Sequence, residues 1–243
     1  MSAFYIFWGK KINIDFAYIC KEGPNEELRY SLRSVDHSFP DSNVWVVGGK
    51  TNWYSGKHIQ TKQSDHKYNN AIENLNAICD SKEISNTFIL MNDDFYIVKK
   101  IDKIVDYHGG SLLNKIKKYE KINPGANYTK KLLLTYKKIK ALGIEEPLDY
   151  ELHIPMIMEK DKLKQSLSYG ENLLWRSIYG NLFNVVGEEI EDVKVYVKGP
   201  LVLKSYNLNK ENHTYLSSAD TSFDLILKEV LRDKFNKKSR HEK

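Results

Sequence analysis

The run Thr87-Phe88-Ile89-Leu90-Met91-Asn92-Asp93-Asp94-Phe95-Tyr96-Ile97 drives apolar and β-branched residues straight into Asn-Asp-Asp, then resumes its apolar character. It is short, lacks polar alternation and follows polar Ser85-Asn86, the pattern of a strand buried on both faces of a parallel sheet. Such a strand ends where open α/β sheets bind ligands. Asp93 and Asp94, with Asn92 beside them, are hard oxygen donors suited to Mg2+ or Mn2+ and, through the ion, to a diphosphate. Asn and Asp also suit a plain turn after a strand, so the stretch alone leaves both readings open.

Upstream, residues 12–19 read as the first sheet strand, and residues 3–8 as a further edge strand or an edge cover. Gly23-Pro24 breaks the strand, and Pro24 fits the first turn of a helix. Glu26 and Glu27 follow in that turn, where they suit the helix dipole. Leu28, Leu32 and Val35 form a sheet-facing stripe, with Arg29 and Arg33 off it. Residues 43–47 run into Gly48-Gly49 as a second strand, completing a parallel crossover unit. A short strand at His58-Ile59 and a helix over 68–79, with Ile72, Leu75 and Ile78 at helical spacing, precede the central strand. This alternation predicts a doubly wound α/β domain.

Downstream, residues 99–140 are lysine-rich and acid-poor. Leu112, Leu113 and Ile116, then Leu132, Leu133, Tyr136 and Ile139, predict two amphipathic helices broken at Asn123-Pro124-Gly125, with Gly143 closing the second. Their lysines read as a solvated face or as a basic arm for a polyanionic acceptor. Residues 148–158 read as a strand carrying His153 before Pro155. Helices are expected over 160–167 and over 171–179, the latter carrying Trp175-Arg176. Residues 193–197 and 201–203 suggest a hairpin around Gly199-Pro200. A last helix over 221–235 has Phe223, Ile226, Leu227, Val230 and Leu231 as its stripe, and 237–243 reads as a frayed charged tail. The chain thus divides into an α/β core (1–100), a basic helical insertion (101–147) and a half that completes the same domain (148–243).

The 243 residues suffice for a sizeable core. Apolar content of 41% and charged content of 28% are ordinary for a globular protein. A net charge of +5 permits an anionic partner, and 16 tyrosines would suit sites that stack sugars or bases, or simply the core rim. Two cysteines, Cys20 and Cys79, are too few for a disulfide framework or a zinc site. The N-terminal apolar run precedes its lysines, the wrong order for a secretory signal, and no segment reaches transmembrane length. A cytoplasmic setting is the expectation.

The nine residues Glu27-Leu28-Arg29-Tyr30-Ser31-Leu32-Arg33-Ser34-Val35 resemble the E-L-R-Y-S-L-R-S helix of the Stealth family of sugar-phosphate transferases. In that family the helix follows an I-D-x-x-Y strand, here Ile14-Asp15-Phe16-Ala17-Tyr18, and precedes an apolar strand ending N-D-D. A histidine before a proline turn and a later arginine are matched by His153 and Arg176. The family's D-G-S-D segment stands here as Lys21-Glu22-Gly23-Pro24-Asn25, without the aspartates. The layout is also similar to nucleotide-sugar glycosyltransferases of the GT-A fold, and to short phage and bacterial glycosyltransferases. The resemblance implies a GT-A-like, doubly wound, mostly parallel sheet with an added lysine-rich helical segment. It further implies a metal-dependent glycosyltransferase moving a sugar from a nucleotide-diphospho-sugar to a polymeric acceptor, whether glycan, teichoic-acid-like polymer or modified DNA. Stealth-like sugar-1-phosphate transfer and a non-enzymatic nucleic-acid-binding protein are the alternatives.

On that reading Asp93 and Asp94 hold Mn2+ or Mg2+, which neutralises charge on the leaving nucleotide. Arg29 pairs with a donor phosphate, and Arg33 does the same or stays on the surface. Gly48-Gly49 lets a nucleotide approach the backbone or merely turns the chain. Lys67, Asn69 and Asn70 contact donor phosphate or uridine, or the asparagines cap their helix. His153 is the base or acceptor-orienting group, or a satisfied core residue. Arg176, in an apolar setting, demands a partner: a donor phosphate, or a carboxylate such as Glu171 or Glu188. His213 and Asp220 flank a segment expected to close over the site, unless Asp220 caps the last helix.

Overall fold

The computed structural model describes residues 14–196 and 213–243. Strands β1 (Asp15–Cys20), β2 (Asn43–Gly48), β3 (Lys57–Gln60) and β4 (Thr87–Asn92) lie parallel, and β7 (Met156–Glu159) joins them antiparallel to β4. The sheet order is β3-β2-β1-β4-β7. Alternate residues enter opposite cores. Phe16, Tyr18, Ile89 and Met91 pack with Leu28, Leu32 and Val35 of helix α1 (Glu26–Ser38). Ala17, Trp45, Phe88 and Leu90 pack with Leu75 and Ile78 of helix α2 (Lys67–Asp80). Burial on both faces is why β4 shows no polar alternation. The chain is therefore mixed α/β with a mostly parallel central sheet.

Helix α1 starts two residues later than Pro24 suggests. Asn25 is its cap, accepting a hydrogen bond from the Leu28 N–H at 3.0 Å, so Pro24 stands outside the helix. The helix carries two buried serines that face β5 (Phe95–Ile97). Ser31 Oγ donates to the Phe95 carbonyl, and Ser34 Oγ accepts from the Ile97 N–H at 3.0 Å. Strands β6 (Tyr107–His108) and β8 (Glu188–Glu189) pair parallel with each other, and a further sheet sets β10 (Tyr215–Ser218) antiparallel to β5 and parallel to β9 (Lys194–Val195). The strand expected in 193–197 thus finds its described partner in β10. Residues 3–8, Gly199-Pro200 and 201–203 lie outside the described residues.

The lysine-rich segment forms helices α3 (Leu112–Ile122) and α4 (Asn127–Ala141). They share an apolar cluster with Leu174 and Ile178 at and within helix α6 (Trp175–Leu182). Helix α5 (Lys160–Leu167) matches its expected span, whereas α6 begins later than residue 171. Residues 170–173 turn first, and the Leu174 N–H is held by Thr135 Oγ1 at 2.9 Å. The expected strand over 148–158 shrinks to β7, because side chains claim the backbone before it. Tyr150 N–H bonds Ser177, His153 N–H bonds Asp192, and the Leu152 and Ile154 carbonyls bond Arg176. Among the described residues no helix is long and apolar enough to cross a membrane.

The C-terminal helix starts as α7 (Asp220–Ser222), passes through a π-helical turn (Phe223–Leu227) and continues as α8 (Lys228–Lys234). The tail after it is docked rather than frayed. Glu242 has a fully buried side chain and takes ion pairs from Arg29 Nη1 at 2.6 Å and Arg33 Nε at 2.7 Å. Arg240 pairs with Asp36 at 3.2 Å, and the Ser55 N–H bonds the His241 carbonyl. Among the described residues, removing Glu242 takes the ion pair of Arg33 and leaves Arg29 with Glu26 at 3.2 Å. Glu242→Ala is expected to lower stability by about 2 kcal/mol, read by chemical denaturation; an unchanged midpoint would show the tail to be energetically idle.

Candidate functional site

The two acids form the turn from β4 into β5, so the sheet's carboxyl edge carries them. Asn25 ties the cap of α1 to this turn: its Nδ2 donates to Asp93 Oδ2 at 2.6 Å while its Oδ1 caps the helix. Asp94 is buried, and its Oδ2 accepts from Lys194 Nζ at 2.9 Å and from Ser217 Oγ at 3.1 Å. The Oδ1 atoms of both acids bond no other described residue. Glu27 completes the group, accepting from Ser218 Oγ at 2.6 Å. Burial, then the neighbouring Asp94, push the Asp93 carboxyl up to about 6. Burial, together with Asp93 and Asp94, pushes Glu27 up to about 7 despite the Ser218 hydrogen bond.

Two cavities flank the turn and share Lys67, Asn92 and Asp220 in their walls. The smaller, about 450 Å3, is lined by Glu27, Asp93, Asp94 and Asn70. The larger, about 650 Å3, is lined by His153, Arg176, Asp192, Lys194 and an aromatic wall. His153 reaches this edge because β7 runs antiparallel to β4: the residues that precede β7 arrive where β4 ends. Its Nδ1 lies 2.8 and 3.0 Å from the two oxygens of Asp192. Burial alone would raise the Asp192 carboxyl, but the His153 hydrogen bond and charge hold it down near 2. A carboxylate only accepts, so Nδ1 carries the proton and Nε2 is the basic nitrogen of the neutral ring.

Arg176 is 5% exposed and donates through Nη1 to the carbonyls of Leu152 and Ile154, either side of His153. It thus fixes the histidine's loop. Its Nη2 has no hydrogen-bond partner, and no described carboxylate, Glu171 and Glu188 included, pairs with it. The deeply buried guanidinium is held below its ordinary pKa by desolvation.

Other expected site residues stand elsewhere or act differently. Arg29 and Arg33 line neither cavity; Glu242 occupies both, and Arg29 also stacks 4.4 Å over Trp53. Gly48, with φ +116°, brings the end of β2 against Cys20 and Asn74, where a Cβ would collide with both. It packs strand and helix rather than admitting a nucleotide. Lys67 is exposed in both cavity walls, while Asn70 lines the smaller and braces Ser64 through three hydrogen bonds. Asn69 is exposed, and the cap of α2 is His66. His213 lines neither cavity, and the segment it precedes is strand β10, not a flap. Asp220 lines both cavities as the first residue of α7, whose cap is Ala219.

Glu27, Asp192, Lys194 and Ser217 escaped the sequence reading. Glu27 sits in the nine-residue motif and was legible only as a dipole-matching residue. Asp192 and Lys194 meet His153 and Asp94 across 39 and 100 residues, which leaves no local signal.

Among the described residues no group of three or more His, Cys, Asp or Glu is spaced to hold a metal ion. The donor set nonetheless fits Mg2+ or Mn2+ of the kind bound by one or two carboxylates and completed by substrate phosphates. Asp93 and Asp94 each keep an oxygen bonded to no other described residue, and the buried Asn92 Oδ1 has no hydrogen-bond partner among them. The raised acids also make a prediction. Folding raises Asp93 and Glu27 above their ordinary 3.8 and 4.5. The folded chain therefore holds more protons than the unfolded one across that window, and stability falls as pH climbs through it. Mn2+ is expected to raise the melting temperature more above about pH 7 than below about pH 5; equal shifts in scanning fluorimetry would remove these acids from metal binding.

No protein-family model matches the chain and no curated protein matches it, so its function has to be read from the geometry of these residues.

Proposed function

We propose that this chain is a metal-dependent glycosyltransferase of the GT-A type, using a nucleotide-diphospho-sugar donor and a glycan-like polymeric acceptor. The observation that carries the reading is the Asp93-Asp94 turn, set at the carboxyl edge of a buried parallel strand between two adjoining cavities. Asp93 and Asp94 would hold Mn2+ or Mg2+ through their unbonded oxygens, with Asn92 beside them. Bound there, a divalent ion offsets the charge that builds on a leaving nucleoside diphosphate.

The larger cavity supports the acceptor half of the chemistry. His153 lines that cavity with Nε2 as its basic nitrogen, and Asp192 would stabilise the imidazolium that forms when it takes the proton of an acceptor hydroxyl. Arg176 keeps the His153 loop in place and adds positive potential beside the donor phosphates. Arg29 and Arg33 have no part in this scheme.

The test is turnover of a panel of nucleotide-sugars with Mn2+. Asp93→Asn is expected to cut metal-dependent turnover by about 100-fold or more, and His153→Ala by a similar factor. Full activity in Asp93→Asn would end the metal-site reading. Release of a nucleoside monophosphate in place of the diphosphate would redirect it to sugar-1-phosphate transfer.

A further inference from the structure

The larger cavity has an outer wall that the donor chemistry does not use. Helices α3 and α4 supply Tyr119, Tyr128 and Lys131, and α2 supplies Tyr68. Lys131 is 5% exposed, its Nζ lies 3.9 Å from the centre of the Tyr68 ring, and its single hydrogen bond, to the Glu171 carbonyl, is 3.4 Å long. It makes no ion pair among the described residues. An ammonium has three donors and is costly to bury without an anion. The Tyr119 and Tyr128 rings meet edge to face at 5.1 Å, and neither hydroxyl makes a hydrogen bond among the described residues. Across the same cavity stands Arg176, buried and likewise without an ion pair.

The other lysines of this hairpin differ. Lys115 is bound to Asp149 at 2.7 Å, Lys140 to Glu145, Lys138 stacks 4.8 Å over Tyr169 away from the cavity wall, and Lys117, Lys118, Lys121, Lys130 and Lys137 are exposed. Lys131 is the one in the cavity wall without an ion pair among the described residues; Glu171 in the same wall offsets its charge only beyond ion-pair distance, and burial still holds the ammonium below its ordinary pKa.

We infer that Lys131 with Tyr68, Tyr119 and Tyr128 forms an acceptor subsite for an anionic sugar or polyol unit. The ammonium takes the phosphate or carboxylate, and the tyrosine faces and hydroxyls take the ring or chain. The wall is amphipathic in the way a sugar is: apolar faces for C–H groups, donors for oxygens. A cavity of about 650 Å3 admits such a unit and excludes a nucleic-acid duplex. The inference rests on the glycosyltransferase reading for the word acceptor, but the subsite itself stands on this wall alone.

The test is calorimetric titration of the full chain with glucose, glucose 6-phosphate, glucuronate and a short DNA duplex, with Mn2+-UDP titrated in parallel. The charged sugars are expected to bind at least about tenfold more tightly than glucose, as one charge-assisted hydrogen bond provides. Whether the phosphate or the carboxylate probe binds more tightly identifies the anion. Lys131→Met should erase the preference and Lys131→Arg restore it, with Mn2+-UDP binding unchanged in both and the melting temperature of Lys131→Met no lower than that of the wild-type chain. No preference in the wild-type chain, a preference that survives Lys131→Met, or displacement of the charged sugar by duplex DNA overturns the subsite. A preference that responds to Lys131 in a chain that binds no Mn2+-nucleotide leaves the subsite standing and sinks the donor reading instead.

Discussion

Ser31 and Ser34 are fully buried, yet both sit on the face of α1 that meets β5. Their hydroxyls bond the Phe95 carbonyl and the Ile97 N–H, edge groups of a three-residue strand. Tyr18 of the central sheet joins the same network through Ser31 at 3.0 Å. A hydroxyl buried this way costs stability unless it is bonded, so the register of α1 on β5 has little freedom. The Asp93-Asp94 turn lies between β4 and β5 and inherits that precision. Asn25 extends the arrangement by one more bond, from the helix cap to Asp93. The helix that resembles a sugar-phosphate transferase motif is thus first a brace for the acidic turn.

Charge is distributed unevenly along the sheet edge. Glu27, Asp93, Asp94 and Asp220 crowd the smaller cavity, and burial with the neighbouring acids raises the affinity of Glu27 and Asp93 for protons. Lys131 and Arg176 line the larger cavity without carboxylate partners. The smaller cavity is thus acidic, whereas the larger mixes its cations with Glu151, Glu171 and Asp192, and the two share a wall at Asn92 and Lys67. Folding spends stability to hold such charges apart from their natural partners, which is a common signature of functional sites. The arginines of α1 show the contrary case: Arg29 and Arg33 are neutralised by Glu242 and Glu26 together, and they hold the tail.

Local pattern made the inner fold readable. The unbroken apolar run of β4, the stripe of Leu28, Leu32 and Val35, and the glycine after β2 each reflect backbone geometry within a few residues. The acidic turn was legible for the same reason, since it directly follows its strand. What stayed hidden depends on distant partners. Arg33 is two hundred and nine residues from Glu242, so nothing near it says that its charge is already matched. Residues 149–154 look like a strand by composition, but Ser177, Asp192 and Arg176 take their backbone groups. The docked tail looked frayed because charged residues near an end usually are; two arginines and Asp36 reverse that here.

The hairpin of α3 and α4 carries its own apolar filling, built from Leu112, Ile116, Leu132 and Ile139 and closed only by α6. None of its residues belongs to the ladder of the five-stranded sheet. A unit with a private core can be exchanged for another of similar footprint while the central sheet keeps its shape. Replacing such a cassette would remodel one wall of the larger cavity and leave the acidic turn untouched.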